Sequence, residues 1–450
     1  MLELFGTDGV RGVAGQRPLD LPTIYKLGKA IVRSGRRRIL IGRDTRISGP
    51  WIVRVLEAAI VDQGGEVILA DVITTPAVAN LCRQQSFDAG LVVSASHNSF
   101  EDNGIKIFSN EGMKLTDEEE EWIEQSVAAD SDGDVLPQIN EQPDLQEIRS
   151  FNRELVDGYI EFLKAVPSVD SLNPLKVVLD CAHGAAFHIA ARIFEELGAE
   201  VVALNIDPDG RNINLDCGAV HPEQMVREVI ETKASLGVAL DGDADRSIFC
   251  DEHGNLLDGD HVLYILARFF QRINKLKSGC VVTTVMANKG LEVALERATL
   301  KTVRTRVGDR YVLAEMLQGD HVLGGEASGH IIMSTHSFAG DGIVTALKMA
   351  DIVIREGRSL GELAEGFRKF PQILLNVRVR KKEDFRQIPA IQQEIEAAEQ
   401  SLGETGRVLI RYSGTEQLAR IMLEGEKEET IRHHAEAIAA RFEEKLGING

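Results

Sequence analysis

Cysteine is scarce and unpatterned in this 450-residue sequence. The five residues, Cys82, Cys181, Cys217, Cys250 and Cys280, are odd in number, scattered and without CxxC spacing. That excludes a disulfide framework and a cysteine zinc site, and it reads as reduced thiols. Long hydrophobic runs are missing too, since stretches such as 281–287 are far shorter than a membrane span. No signal-peptide pattern is visible in residues 1–12, where a glycine-rich, charged segment follows the first five residues. These absences lead to the expectation of a cytoplasmic protein. Positive charge is also in deficit: 50 Lys and Arg against 70 Asp and Glu give a formal net charge of -20. Neither a broad nucleic-acid surface nor an anionic-membrane surface fits that balance. An anionic ligand would therefore need a local cluster of positive groups.

What is present describes an ordinary globular chain, with 44% hydrophobic and 27% charged residues. Its length suggests about three or four domains. One pattern recurs three times: an apolar strand, an amphipathic helix and a second strand. It runs through 38–42, 51–63 and 66–70, then 176–182, 186–197 and 200–205, then 280–285, 290–298 and 301–304, where the helix is short. Each copy reads as a βαβ unit with parallel pairing. A loop of small and polar residues follows each copy, at 93–98, 240–246 and 324–330. Such loops, placed after buried strands, are where α/β sheets hold ligands. Residues 128–149, rich in Asp, Gln, Pro and Ser, separate the first copy from the second. The helix before them opens with a capping box, Thr116 three residues ahead of Glu119. Helical periodicity over 256–271 is expected to open the third domain. Past about residue 370 the order becomes strand 376–380, helix 388–402, strands 407–410 and 419–424, and helix 429–446, a small α+β arrangement. The expected fold is α/β: three similar α/β domains with mixed or parallel sheets over 1–150, 151–255 and 256–370, plus a smaller α+β domain over 371–450.

The most informative segment is Leu240-Asp241-Gly242-Asp243-Ala244-Asp245-Arg246. Three carboxylates alternate with small residues, so the backbone can bend sharply and turn all three inward. A hard divalent cation relieves their repulsion, yet three carboxylates are too few to saturate calcium, and no downstream EF-hand glutamate follows. Mg²⁺ with a phosphate oxygen in its open positions is the natural reading. A solvated acidic turn is the alternative. Ser96 is followed by His97 but lies in no GxSxG elbow, and on an extended strand the two would face opposite ways, which argues against His97 as a triad base. Ser96 is instead suited to carry a phosphoryl group whose oxygens complete the metal's coordination. Lys106 can return on a hairpin as proton shuttle or phosphate counter-charge, or stand as an edge-strand lysine.

Glu326, Ser328 and His330 offer the mix expected for sugar hydroxyls, with a satisfied core histidine as the plainer reading. Arg411, Tyr412, Ser413, Gly414 and Thr415 suit a phosphate nest, or an N-capped turn. The glycine-spaced N-terminal turn over 5–12 presents Arg11 toward phosphate.

Taken in order, the motifs GTDGVRG, SASHN, DGDADR, GGEASGH and RYSGTE resemble the α-D-phosphohexomutase family from Phe5 to about Glu424. Within that family, GRNINLDCG at 210–218, VGDRYV at 307–312 and SASHNSFEDNGIKIF at 94–108 are similar to the bacterial phosphoglucosamine mutase branch. The resemblance implies three similar α/β domains and a fourth, smaller one around a central cleft. It implies a phosphoserine at Ser96 and one Mg²⁺ held by Asp241, Asp243, Asp245 and the Ser96 phosphoryl group. Lys106, Asp309 and His330 become acid/base candidates, and Arg246 and Arg11 stabilisers of the moving phosphoryl group. Glu326, Ser328 and His97 would contact the sugar, and Arg411, Ser413, Gly414 and Thr415 the phosphate that is not reacting. The implied reaction interconverts glucosamine 6-phosphate and glucosamine 1-phosphate through a bisphosphate, with sugar 1,6-bisphosphate as activator, and supplies amino-sugar nucleotides and peptidoglycan precursors. The implied partner is a small phosphosugar, with a homodimer as the assembly the resemblance allows.

The same chemistry on glucose or mannose phosphates is the alternative. A non-catalytic phosphosugar binder would not need Ser96, and a phosphatase would not need a cleft that excludes water. Five positions depart from the family pattern: Ser99, Tyr412 and Gln417 where proline is frequent, Ala327 where Gln or Asn is frequent, and His183 where Asn is frequent. Losing the prolines removes backbone restriction around the two loops.

Overall fold

The structure, a computed structural model, describes residues 4–6, 8–130, 136–138, 143–413 and 416–448. Parts of the 128–149 linker lie outside the described residues. Seventeen strands form four sheets among them. The first sheet contains β1 (Val10–Val13), β2 (Arg38–Arg43), β3 (Glu66–Val72), β4 (Ala89–Val93) and β5 (Asp102–Ser109), in the order β1-β5-β4-β2-β3. The second contains β6 (Lys176–Asp180), β7 (Glu200–Leu204), β8 (Leu236–Leu240), β9 (Ser247–Cys250) and β10 (Leu256–Leu257), in the order β10-β9-β8-β6-β7. The third takes β11 (Cys280–Thr284), β12 (Lys301–Thr305), β13 (Leu323–Gly325) and β14 (Ile331–Met333) in the order β12-β11-β13-β14. A three-stranded antiparallel sheet of β15 (Gln372–Arg378), β16 (Gly406–Tyr412) and β17 (Leu418–Gly425) completes the set.

The chain divides into two compact units, one of residues 1–285 and 303–364, the other of residues 286–302 and 365–450. In the first unit the expected repetition is visible as topology. A parallel core, β3-β2-β4 or β7-β6-β8, is followed by a strand that turns back antiparallel, β5 after β4 and β9 after β8. The parallel β11/β13 pair with antiparallel β14 repeats the rule. All five residues of β4 and of β8 are buried, which is why these strands read as unbroken apolar runs. Mixed sheets of this kind place the turn from the last parallel strand to its antiparallel neighbour at a carboxyl edge, and those turns are 94–101, 241–246 and 326–330.

Helices cover the sheets through ordinary amphipathic burial. The helix Leu21–Arg33 sinks Ile24, Leu27 and Ile31, each contributing about 2 kcal/mol if fully buried. The capping box at Thr116 and Glu119 is formed as the spacing predicts. The strand expected at 376–380 runs Gln372–Arg378, paired along its whole length with β17, and two helices start later than expected. The helix expected from 186 begins at Ala190, because Ala182 and His183 adopt left-handed φ values of 54° and 48° and turn the chain first. The helix expected from 256 begins at Gly259: Leu256–Leu257 pairs with β9, and Asp258 caps the helix by accepting from His261 N–H. In the second unit, the helix Glu428–Leu446 buries Ile431, Ala435, Ile438 and Phe442 on one face, against the sheet and the helix Pro389–Leu402. All five cysteines are buried. Among the described residues no helix is long and apolar enough to cross a membrane.

Candidate active site

Ser96 sits just past β4 with φ 52°, a left-handed conformation that a serine keeps only when its surroundings hold it. Arg46, fully buried, does the holding. Its Nη2 donates to the carbonyls of Ser96 (2.9 Å) and Asn98 (2.8 Å) and its Nη1 to those of Ser99 and Asp102, while Nε is anchored on Asp44 Oδ2 at 2.9 Å. Asn214 Nδ2 donates to the same Ser96 carbonyl at 2.9 Å. The restriction that a proline at position 99 would supply is thus supplied from outside the loop. The left-handed turn also overturns one expectation: Ser96 and His97 are not on an extended strand, and His97 Nδ1 lies 3.3 Å from Ser96 Oγ. Burial and the neighbouring Arg246 push the His97 imidazole below its usual value, toward the neutral form.

The serine hydroxyl meets the aspartate loop directly. Ser96 Oγ donates to Asp241 Oδ2 at 2.6 Å across 145 residues of sequence. Asp241, Asp243 and Asp245 are all buried, and one oxygen from each lies within 4.8 Å of the others. Ala244 at φ 59° and the bond from its N–H to Asp241 O, 3.0 Å, form the tight turn that brings them inward. Lys106 Nζ, buried on β5, sits 2.9 Å from Asp243 Oδ2 and 3.1 Å from Asp245 Oδ2. Thr75 Oγ1 donates to Asp243 Oδ2 at 2.6 Å and Arg246 N–H to Asp241 Oδ1 at 3.1 Å. Asp243 Oδ1 and Asp245 Oδ1 remain buried without a hydrogen-bond donor. Two orphaned carboxylate oxygens beside a third acid fit a hard cation with an oxygen preference. Burial, then repulsion from Asp245 and Asp243, pushes the Asp241 carboxyl well above its usual range, a penalty that such a cation removes.

Two residues of a second layer, Asp8 and Lys114, were not found from the sequence. Asp8 binds Arg11, approaches Lys106 Nζ at 3.3 Å and accepts from Lys114 Nζ at 2.5 Å. Lys114 Nζ in turn lies 2.7 Å from Asp309 Oδ2, and His330 Nε2 stands 3.6 Å from that same oxygen. His330 Nδ1 is 3.7 Å from Asp245 Oδ1. Burial opposes charge on His330, but Asp245, Asp309 and Glu326 outweigh it and raise its pKa above the usual value. Burial likewise works against the Asp8 carboxylate, and Lys106, Lys114 and Arg11 overcome it, holding the group far below the carboxylate range. The loop carrying His330 is stitched to β9 by Ser247 N–H donating to Gly329 O at 3.1 Å. Gly329 is required there, since its φ is +91° and a Cβ would meet Ser247 O at 2.3 Å.

Of the expected residues, the first unit brings together Ser96, His97, Lys106, Asp241, Asp243, Asp245, Arg246, Asp309 and His330, with Arg11 tied in through Asp8. Glu326 accepts from Gly308 N–H at 3.1 Å and from Ser328 Oγ at 3.3 Å, beside the His330 loop. Arg411 and Ser413 belong to the second unit. Arg411 is exposed on β16, and Ser413 is buried, accepting from Glu416 N–H at 3.2 Å. Gly414 and Thr415 lie outside the described residues. His183, unexplained by its sequence neighbours, takes left-handed φ, a conformation that histidine and asparagine tolerate better than most residues. Arg46 and Asp44 did leave a signal, the charged segment Arg43-Asp44-Thr45-Arg46 at the end of a buried strand.

Comparison with known proteins gives a consistent answer. Four segments match the phosphoglucomutase/phosphomannomutase domains: α/β/α domain I over 2–134, domain II over 157–254, domain III over 258–370 and the C-terminal domain over 374–441. Curated relatives 44% to 47% identical are named phosphoglucosamine mutase, among them that of Geobacter sp. (strain M21), 47% identical over 99% of each chain. A solved phosphoglucomutase/phosphomannomutase family protein from Burkholderia thailandensis superposes with a TM-score of 0.77 at 21% identity, covering 98% of this chain and 97% of that one. The Aspergillus fumigatus N-acetylphosphoglucosamine mutase, solved in complex with GlcNAc-6P and magnesium, has a TM-score of 0.61 at 20% identity, covering 90% of this chain and 82% of that one.

Proposed function

The chain belongs to the phosphoglucomutase/phosphomannomutase family, and from that premise we propose that it is a phosphoglucosamine mutase, interconverting glucosamine 6-phosphate and glucosamine 1-phosphate. The observation that carries the reading is the 2.6 Å bond from Ser96 Oγ to Asp241 Oδ2, which sets a nucleophilic hydroxyl on the rim of a three-carboxylate site. Ser96 carries a phosphoryl group. In the first half-reaction the bond from phosphorus to Ser96 Oγ breaks as one forms to the sugar O1, and the O1 proton passes to a side-chain base. The resulting bisphosphate turns over, and its 6-phosphoryl group returns to Ser96 Oγ as O6 regains a proton. Glucosamine 1-phosphate leaves, available for amino-sugar nucleotide synthesis and peptidoglycan precursors.

Mg²⁺ held by Asp241, Asp243 and Asp245 would supply charge neutralisation at the phosphoryl oxygens. This chain's own side chains do the rest. Arg246 and Arg11 offer guanidinium groups to the moving phosphoryl group. Lys106, kept protonated by Asp243, Asp245 and Asp8 against the opposing effect of burial, serves as counter-charge and proton donor. His330 and Asp309 flank the other side as the remaining proton-handling pair. Glu326, Ser328 and His97 orient sugar hydroxyls, and Arg411, Ser413, Gly414 and Thr415 receive the distal phosphate. The same proposal includes the four-part division at residues 150, 255 and 370, a sugar 1,6-bisphosphate activator, a homodimer and a cytoplasmic setting.

Side-by-side rates on glucosamine 6-phosphate, glucose 6-phosphate and mannose 6-phosphate test the assignment. Preference for the amino sugar is the expected result. A strong preference for mannose or glucose phosphate would move the chain to the phosphomannomutase or phosphoglucomutase activity of the same family.

A further inference from the structure

Six charged groups close into a ring beside the metal loop, and one of them, Lys114, has no role in the chemistry described above. Starting at Asp245, contacts pass to Lys106 (3.1 Å), Asp8 (3.3 Å), Lys114 (2.5 Å), Asp309 (2.7 Å), His330 (3.6 Å) and back to Asp245 (3.7 Å). Signs alternate all the way round. Lys106 and His330 each touch Asp245 on one side and an aspartate outside the metal loop on the other. Among the described residues, Lys114 is the one that joins those two outer aspartates.

Its backbone is suited to the task. Lys114 bridges to Phe108 in the hairpin that follows β5, the strand bearing Lys106, and Ser109 N–H donates to Met113 O at 2.7 Å. The Lys114 side chain is only 16% exposed. Burial disfavours its charge, yet Asp309 and Asp8 more than offset that and raise its pKa. A cavity of about 350 Å³ borders Lys114, Asp309, His330 and Asp245 together, with largely apolar walls that include Leu313 and Phe338. Ser96, His97, Arg246, Glu326 and Ser328 do not line it, so it opens on the side of His330 and Asp309.

We infer that Lys114 is a positioning residue that clamps Asp8 and Asp309 and so fixes where Lys106 and His330 stand against the reacting sugar oxygen. The inference rests on the acid/base reading of His330 given above. A displacement of about 1 Å in such a group lowers turnover by about 100-fold.

The test is steady-state kinetics on glucosamine 6-phosphate with Mg²⁺, using the full chain and Lys114→Met, Lys114→Arg, His330→Ala and the Lys114→Met/His330→Ala double variant, with thermal unfolding of each. Lys114→Met is expected to lower kcat by about 100-fold with KM within about threefold. Lys114→Arg, which can hold both carboxylates, should recover to within about tenfold of the parent. In the His330→Ala background, Lys114→Met should add clearly less than the roughly 100-fold it costs the parent, because the branch through Asp309 no longer has a group to position and only the branch through Asp8 to Lys106 remains. Parent-like kcat in Lys114→Met, a full additional loss in the His330→Ala background, or a loss that follows the unfolding temperature and is not rescued by arginine would each overturn the clamp. Parent-like kcat in His330→Ala would remove the acid/base reading instead, and the clamp with it.

Discussion

Replacing Lys106 by methionine isolates the electrostatics of the aspartate loop. The substitution keeps an unbranched apolar stem and deletes one buried cation that lies 2.9 and 3.1 Å from Asp243 and Asp245. At about 3 Å and an effective dielectric near 20, each contact is worth roughly 5 kcal/mol, while each carboxylate pair separated by as much as 4.8 Å repels by roughly 3.5 kcal/mol. Lys106 therefore cancels most of the repulsion among the three acids, and its loss leaves that repulsion standing in a dry site. After relaxation and partial protonation, removing one partner of a buried pair costs about 3–5 kcal/mol. Chemical unfolding of metal-free Lys106→Met should show a deficit of that size against the metal-free parent. Mg²⁺ should then restore more stability to the variant than it adds to the parent, since the cation takes over the missing charge. Turnover should stay low even with Mg²⁺. Equal stability of the two metal-free proteins, with no response of the variant to Mg²⁺, would refute this account of the site.

Three further outcomes follow from single positions. Thr75→Val removes the hydroxyl that donates to Asp243 Oδ2 at 2.6 Å, and should cost about 2 kcal/mol in urea unfolding of the metal-free protein. Gly329→Ala places a methyl 2.3 Å from Ser247 O at a φ of +91°, and should cost about 3 kcal/mol and displace His330, measurable as lowered unfolding midpoint and lowered kcat together. His188, away from the active site, is pushed down to about 4, mainly by burial and then by Arg192, so the folded protein keeps it neutral while the unfolded chain protonates it near 6.5. The unfolded state thus binds more protons as pH falls from 6.5 toward 4, and stability should drop by up to about 3 kcal/mol across that window. His188→Gln should flatten that slope in urea titrations, and an unchanged slope would exclude His188 as its source.

Much of the fold could be read from residues because the strands that matter are fully buried. Runs such as Ala89–Val93 and Leu236–Leu240 are apolar throughout, and the small polar segments after them stand out by contrast. Ser96 and the three aspartates were legible for the same reason: their composition is unusual in place. Asp8, Thr75 and Lys114 were not, because each is a common residue whose meaning lies in a partner far along the chain. Thr75 and Asp243 are 168 residues apart, and Lys114 and Asp8 are 106. No local period records such a pairing. The relation between Ser96 and His97 was misjudged on local grounds as well, since a period-of-two argument fails where Arg46 holds the backbone left-handed. The late start of the helix at Ala190 has the same origin, two residues at positive φ that a hydrophobic pattern does not register.

The central claim is that Ser96 carries the transferred phosphoryl group. Incubating the protein with glucosamine 1,6-bisphosphate and Mg²⁺, then measuring peptide masses, should place one phosphate on the Ser96 peptide of the parent. Ser96→Ala should gain none, should not isomerise glucosamine 6-phosphate, and should still bind it in calorimetry. Normal turnover by Ser96→Ala would contradict the account.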